Sequence, residues 1–189
     1  MREKLDISAY LVLGPENTLG RCVPSVIGDA LDAGFTCIQI RSKECSAREL
    51  MGLLSQAADT IASRGKSDSV ALLVDDRLDV AYACRRADIA LAVDAAGVHV
   101  GQSDVPVEAC RALLGPDAIV GLSARASEML EYVKTADVSG VDYFGVGPLH
   151  ETQTKPDCGV DAEGNLIVKT LDDIADLHRV SPVPIVVGG

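Results

Sequence analysis

The chain has 189 residues, of which 48% are apolar and only 3% aromatic, and it contains no tryptophan. One substantial core is within its reach, and that core must be built from Ala, Val, Ile and Leu. A formal net charge of −11 and a pI near 4.6 exclude broad contact with nucleic acid or an anionic membrane, both of which need a basic footprint. A small anionic ligand is still allowed, because a few Lys and Arg focused in one cleft reverse the local potential.

In chain order the pattern alternates short apolar runs with helical periodicity. The charged start Met1-Arg2-Glu3-Lys4 has no apolar signal-peptide region. A strand is predicted at 9–13, a helix at about 20–33 stopped by Gly34, and a strand at 36–41. Ser46 caps a helix over 46–64, with Leu50, Leu53, Leu54, Ala57, Ala58 and Ile61 on one face and Gly65 after it. Strands follow at 70–75, 97–100, 119–123, 143–147 and 184–187, separated by helices at 79–86, 106–114 (Pro106 just inside its start), 126–136 and 171–179. The polar segment 156–170 is expected to be a loop over the site. No apolar run approaches the roughly 20 residues that span a bilayer. The six cysteines form no CxxC pair and suit free thiols in a reducing compartment, so the expected location is cytoplasmic.

Strict alternation predicts a parallel sheet with right-handed crossovers. A (β/α)8 TIM barrel fits better than an open doubly wound sheet, because the N-terminal region lacks a Gly-rich phosphate turn. The seventh run ends the sequence at Gly189. The chain therefore reads as one barrel domain, 1–189, lacking its last strand and helix.

Nearly every apolar run ends in polar residues, and parallel strands gather such ends on one face, where α/β proteins build their sites. Asp75, Asp76 and Asp104 fall at neighbouring strand ends, where carboxylates suit a hard divalent ion such as Mg²⁺. Taken singly, Asp75 and Asp104 read equally as helix caps or solvated strand ends. Arg41, Lys43 and Lys155 are the matching cations. The Gln39-x-Arg41-x-Lys43 spacing aims all three side chains to one side, inward if the apolar residues between them face helices. Ser123, Thr152, Thr154 and the Gly188-Gly189 pair could hold a second anion through hydroxyls and backbone amides. His99, inside an apolar strand, reads as a hydrogen-bonded interior group. There is no nucleophile elbow, zinc-ligand spacing or P-loop. What remains is a cationic, metal-binding site without an evident nucleophile or acid–base pair, suited to stabilising a leaving pyrophosphate.

The ordered motifs Gln39-Ile40-Arg41-Ser42-Lys43, Asp75-Asp76-Arg77 with Asp79-Val80-Ala81, Gly97 to Asp104, Gly121-Leu122-Ser123-Ala124, Gly145 to Pro148, Thr152 to Lys155 and Pro184 to Gly189 resemble those of thiamine-phosphate synthases over essentially the whole chain. The resemblance implies a transferase that joins 4-amino-2-methyl-5-hydroxymethylpyrimidine diphosphate to a thiazole phosphate, giving thiamine monophosphate and pyrophosphate. It implies Gln39, Arg41 and Lys43 on the pyrimidine diphosphate, with Ser123 and Lys155 on its pyrophosphate. Asp76 and Asp104 would hold Mg²⁺, and Thr152, Thr154 and a glycine of the Gly188-Gly189 pair would contact the thiazole phosphate. The implied mechanism is dissociative, with Lys155, Ser123 and Arg41 as its catalytic groups, and it needs no general base. Asp75 stands where the family usually has an Asn that contacts the pyrimidine, and Glu151 where it usually has Pro. A thiazole tautomerase-like isomerase and a non-catalytic ligand-binding module of a fused protein are the alternative readings. Oligomeric state is left open, as is fusion to or partnership with a pyrimidine kinase.

Overall fold

The computed structural model describes residues 2–85, 95–124, 128–150 and 167–188. Seven parallel strands, β1 (Tyr10–Leu13), β2 (Cys37–Ile40), β3 (Ala71–Asp75), β4 (Gly97–Val100), β5 (Ile119–Ser123), β6 (Tyr143–Val146) and β7 (Ile185–Val187), lie side by side in chain order. The helices between them are α1 (Val23–Asp32), α2 (Ala47–Ser63), α3 (Leu78–Arg85), α4 (Val107–Leu114), α5 (Met129–Thr135) and α6 (Leu171–Val180). Every predicted strand and helix is present, with ends shifted by a few residues. Pro106 precedes α4 as its N-cap and is not its first residue. Ser46 caps α2 by accepting from the Glu49 N–H, and Glu49 reciprocates on the Ser46 N–H. The predicted 156–170 loop lies mostly outside the described residues. No described helix is long and apolar enough to cross a membrane.

Alternation along each strand divides the apolar residues into two clusters. Ile38, Ile40, Leu72, Val74, Val98, Val100, Val120, Phe144 and Val146 pack with the helices in the larger one. Their strand neighbours Cys37, Ala71, Leu73, Ile119 and Tyr143 form a second, smaller cluster with Leu5, Ile7 and Tyr10. That second cluster lies on the other face of the sheet, and the sheet is curled around it. In a flat sheet β1 and β6 would stand five strand spacings apart, roughly 24 Å. Instead the hydroxyls of Tyr10 on β1 and Tyr143 on β6 are 2.7 Å apart. The architecture is a TIM-type barrel wall of seven strands.

Below the strands, Asp142 closes the N-terminal end. Its carboxylate meets Arg111 at 2.5 Å and Arg2 at 2.6 Å, and accepts the Val120 N–H at 2.8 Å. Arg111 also donates to the Gly140 carbonyl at 2.8 Å. This end of the barrel is saturated with internal partners, as expected of the face that serves stability.

Close packing inside the wall leaves no room for a side chain at Gly97. A Cβ on Gly97 would overlap the backbone of Ile119 on the neighbouring strand, whereas one on Gly52, in the exposed middle of α2, meets nothing. Gly97→Ala should cost about 3 kcal/mol or more through overpacking, while Gly52→Ala should add about 0.5–1 kcal/mol from helix propensity. Urea unfolding midpoints of the two variants, moving in opposite directions, check this.

Candidate functional site

Six consecutive strands each contribute one polar side chain to a hydrogen-bonded chain across the barrel interior. On β3, Asp75 is 5% exposed and stands 2.9 Å from the Arg41 Nε. Its other oxygen accepts from the Gln39 Nε2 on β2. Gln39 Oε1 accepts from the Tyr10 hydroxyl of β1 at 2.5 Å, and Tyr10 meets the Tyr143 hydroxyl of β6 at 2.7 Å. Tyr143 contacts Nδ1 of His99 on β4 at 2.9 Å, and His99 Nε2 contacts the Ser123 Oγ of β5 at 3.0 Å. Strand alternation explains why they meet: each lies an even number of residues from an inward-facing neighbour such as Cys37, Leu73 or Ile119.

Gln39 and Arg41 therefore face inward, as the period-two spacing predicts, while Ile38 and Ile40 pack against helices. Lys43 departs from that expectation. β2 ends at Ile40, so Lys43 sits in a bend past the strand, exposed and no longer governed by its periodicity. Arg41 presents a further donor, since its buried Nη2 has no hydrogen-bond partner among the described residues. A guanidinium half engaged by a carboxylate and half open is suited to a bidentate anion.

Asp76, directly after β3, is held at φ 59°, a left-handed conformation few non-glycine residues adopt. Two backbone bonds pin it there: its own N–H to the His99 carbonyl at 2.8 Å, and the Arg77 N–H to the Asp75 carbonyl at 2.7 Å. Arg77 is turned aside by a two-pronged ion pair with Asp79, at 2.9 and 2.7 Å, which holds the Asp79 carboxyl below its usual range. After β4, Asp104 accepts the Gly101 N–H at 2.6 Å and so shapes its own loop. Asp76 and Asp104 thus occupy the adjacent β3 and β4 loops. No group of three or more His, Cys, Asp or Glu suited to a metal occurs among the described residues. Two carboxylates on neighbouring loops fit Mg²⁺, which takes one or two and completes its shell with water and phosphate oxygens.

Ser123 ends β5 with its oxygen on His99, and the Gln102 amide steadies it by donating to the Ser123 carbonyl at 2.5 Å. Gly188 follows β7, but its N–H already donates to the Val146 carbonyl at 3.0 Å, so that amide is committed to the backbone ladder. Thr152, Thr154, Lys155 and Gly189 lie outside the described residues. Tyr10 and Tyr143 escaped the motif reading altogether. Parity was the available signal, since both tyrosines sit at inward positions of their strands in a chain with very few aromatics.

Comparisons with known proteins bear on the family and the fold. A family model described as thiamine monophosphate synthase matches residues 9–189. The chain belongs to the thiamine monophosphate synthase family. Among relatives of this synthase-family chain, the thiamine-phosphate synthase of Campylobacter jejuni is 35% identical over 192 residues, spanning 100% of this chain and 78% of its own. The chloroplastic thiamine biosynthetic bifunctional enzyme TH1 of Arabidopsis thaliana is 36% identical over 170 residues, 89% of this chain but 28% of its own. A solved thiamine phosphate pyrophosphorylase from Pyrococcus furiosus superposes with a TM-score of 0.71 at 26% identity, covering 100% of this chain and 76% of that one. This synthase-family chain is accordingly an enzyme of thiamine biosynthesis, a transferase on a TIM-type barrel.

Burial raises the phenols of Tyr10 and Tyr143 well above their ordinary value, and it pushes the Cys37 thiol beneath them up to about 12. In the unfolded chain the thiol ionises near 9.0 and the phenols near 10.0, so the unfolded chain releases protons first as pH rises. The stability these groups contribute is complete below about pH 9 and declines above it, with the tyrosine share lost above about pH 10. Urea midpoints measured through the alkaline range should fall more steeply for the native chain than for a Tyr10→Phe, Tyr143→Phe double variant.

Proposed function

We propose that this chain joins 4-amino-2-methyl-5-hydroxymethylpyrimidine diphosphate to a thiazole phosphate, giving thiamine monophosphate and pyrophosphate, with the reaction running at the C-terminal mouth of the barrel. The family membership supplies the reaction. The observation that carries the site is the convergence of Gln39 and Arg41 on Asp75, beside the pinned Asp76.

Arg41 uses its open Nη2, with Lys43, Lys155 and Ser123, to bind the diphosphate and hold it as charge develops on departure. Gln39 and Asp75 meet the pyrimidine. Asp75 offers acceptor oxygens to the ring amine, and Arg41 beside it offsets the added negative charge. Asp76 and Asp104 would hold Mg²⁺, which when bound supplies charge neutralisation to the leaving pyrophosphate. Departure of pyrophosphate leaves a pyrimidine methylene cation, and the thiazole nitrogen captures it. The C–O bond breaks with its electron pair going to pyrophosphate, and the new C–N bond forms from the nitrogen lone pair. No residue needs to remove a proton from carbon, in keeping with the absence of an evident acid–base pair. Thr152, Thr154 and a glycine of the Gly188-Gly189 pair seat the thiazole phosphate.

The five free cysteines among the described residues accord with a reducing, cytoplasmic setting. TH1, a bifunctional relative of which this chain matches 28%, supports a second arrangement in which such a barrel is joined to another thiamine-pathway activity, such as a pyrimidine kinase.

Lys155→Ala and Asp76→Ala should each lower turnover by at least a hundredfold while leaving thiazole-phosphate affinity within a few-fold of native. Product formation and direct binding, measured on the same samples with Mg²⁺ present, separate the two effects. Equal loss of both would assign these residues to structure or to the thiazole subsite, and absence of thiamine phosphate from the native enzyme would refute the reaction.

A further inference from the structure

The buried chain of side chains has a direction, and elementary donor–acceptor bookkeeping fixes it. Asp75, ion-paired with Arg41 at 2.9 Å, is an ionised carboxylate and can only accept. Gln39 must therefore turn its NH₂ to Asp75, which places its Oε1 toward Tyr10. That oxygen can only accept, so Tyr10 spends its single proton on Gln39. The Tyr10 oxygen must then accept the Tyr143 proton across their 2.7 Å contact. With its proton used, the Tyr143 oxygen accepts from His99, so the proton of a neutral imidazole is on Nδ1. His99 Nε2 is left a bare acceptor, and the group 3.0 Å away, the Ser123 hydroxyl, donates to it.

We propose that His99 is a positioning residue for Ser123, held in its Nδ1–H tautomer by the Asp75 charge acting through Gln39, Tyr10 and Tyr143, so that the resting Ser123 hydroxyl points its proton to His99 and its lone pairs to the barrel mouth. Two packing features fix the geometry independently of proton order. The His99 and Tyr143 rings stack with centroids 5.5 Å apart at 30°. Gly121 and Gly145 leave the room for them: a Cβ at 121 would come within 2.5 Å of His99 Nδ1, and one at 145 within 2.9 Å of His99 Cε1.

The consequence for binding is specific. A ligand N–H or ammonium at the mouth finds Ser123 already presenting an acceptor. An anionic oxygen must first draw the hydroxyl proton away from His99. Asp75 thus sets a resting Ser123 orientation that the diphosphate must reverse on binding, and an amide at position 75 removes that requirement. An amide can donate to Gln39 Oε1, after which every bond in the chain can reverse and free the Ser123 proton for an anion. The ligand assigned to Ser123 rests on the proposed reaction; the proton order does not.

The test is long-range proton–nitrogen NMR on the ¹⁵N-histidine-labelled full chain without substrates, above neutral pH. The chain has only three histidines, and a His99→Gln variant assigns the signal. The expected result is a single tautomer with Nδ1 protonated and Nε2 bare in the native chain. Asp75→Asn and Tyr143→Phe should each abolish that single state, giving an Nε2–H or mixed imidazole. A native Nε2–H tautomer or an imidazolium would overturn the proposal. So would a native Nδ1–H tautomer that persists unchanged in folded Asp75→Asn. Turnover measured on the same native sample judges the transferase reading separately, since the tautomer is read with no substrate present.

Discussion

One buried negative charge organises this barrel. Asp75 lies deep in the wall, 5% exposed, and an isolated carboxylate there would be costly to desolvate. Gln39 on the adjacent strand and Arg41 just past its end answer it. Both partners reach it because β2 and β3 are paired in parallel register, with Gln39 opposite Leu73 and therefore one inward position before Asp75. Burial of the pair does not by itself promise stability, since apolar residues of the same shape often do as well. What the charge adds is order, because a carboxylate cannot donate and so dictates the role of every hydroxyl and amide connected to it.

Packing and polarity are interdependent in the interior. The aromatic content is small, and two of the four tyrosines are placed where their rings fill the barrel and their hydroxyls join β1 to β6. Large rings fit only because Gly121 and Gly145 face them. The wall residues on the opposite parity, Val98, Val120, Phe144 and their neighbours, seal the helical layer. Gln39, Asp75, His99 and Tyr143 are thereby buried, while Arg41, Tyr10 and Ser123 are partly exposed.

Much of this was legible in the sequence, for identifiable reasons. Strands and helices followed from periodicity and from stop signals such as Gly34 and Gly65, both of which take positive φ. Gln39 and Arg41 followed from period-two spacing within a strand. Lys43 did not, because a strand's end cannot be fixed to the residue from its pattern, and three residues beyond β2 the alternation has no meaning. His99 was readable as an interior group, but its partners were not, since Tyr143 is 44 residues away and only barrel closure brings it near. Curvature is a property of the whole sheet, carried by no local motif. The commitment of the Gly188 amide to Val146 was hidden for the same reason, being a pairing between strands.

The two ends of the barrel divide stability from chemistry in a way the hydrogen bonding makes concrete. At the lower end Asp142 has Arg2, Arg111 and a backbone N–H, and Arg111 adds backbone carbonyls. At the mouth, Arg41 retains an unused donor and Asp76 is held in a backbone conformation that disfavours its side chain. Strain of this kind persists only where the surroundings over-determine it, and here β4 supplies the restraint through the His99 carbonyl. The same residue, His99, therefore holds Asp76 through its backbone carbonyl and meets the Ser123 hydroxyl through its ring. A single strand position thus couples Asp76 to Ser123, so a substitution that leaves the imidazole position filled but shifts β4 would disturb both together.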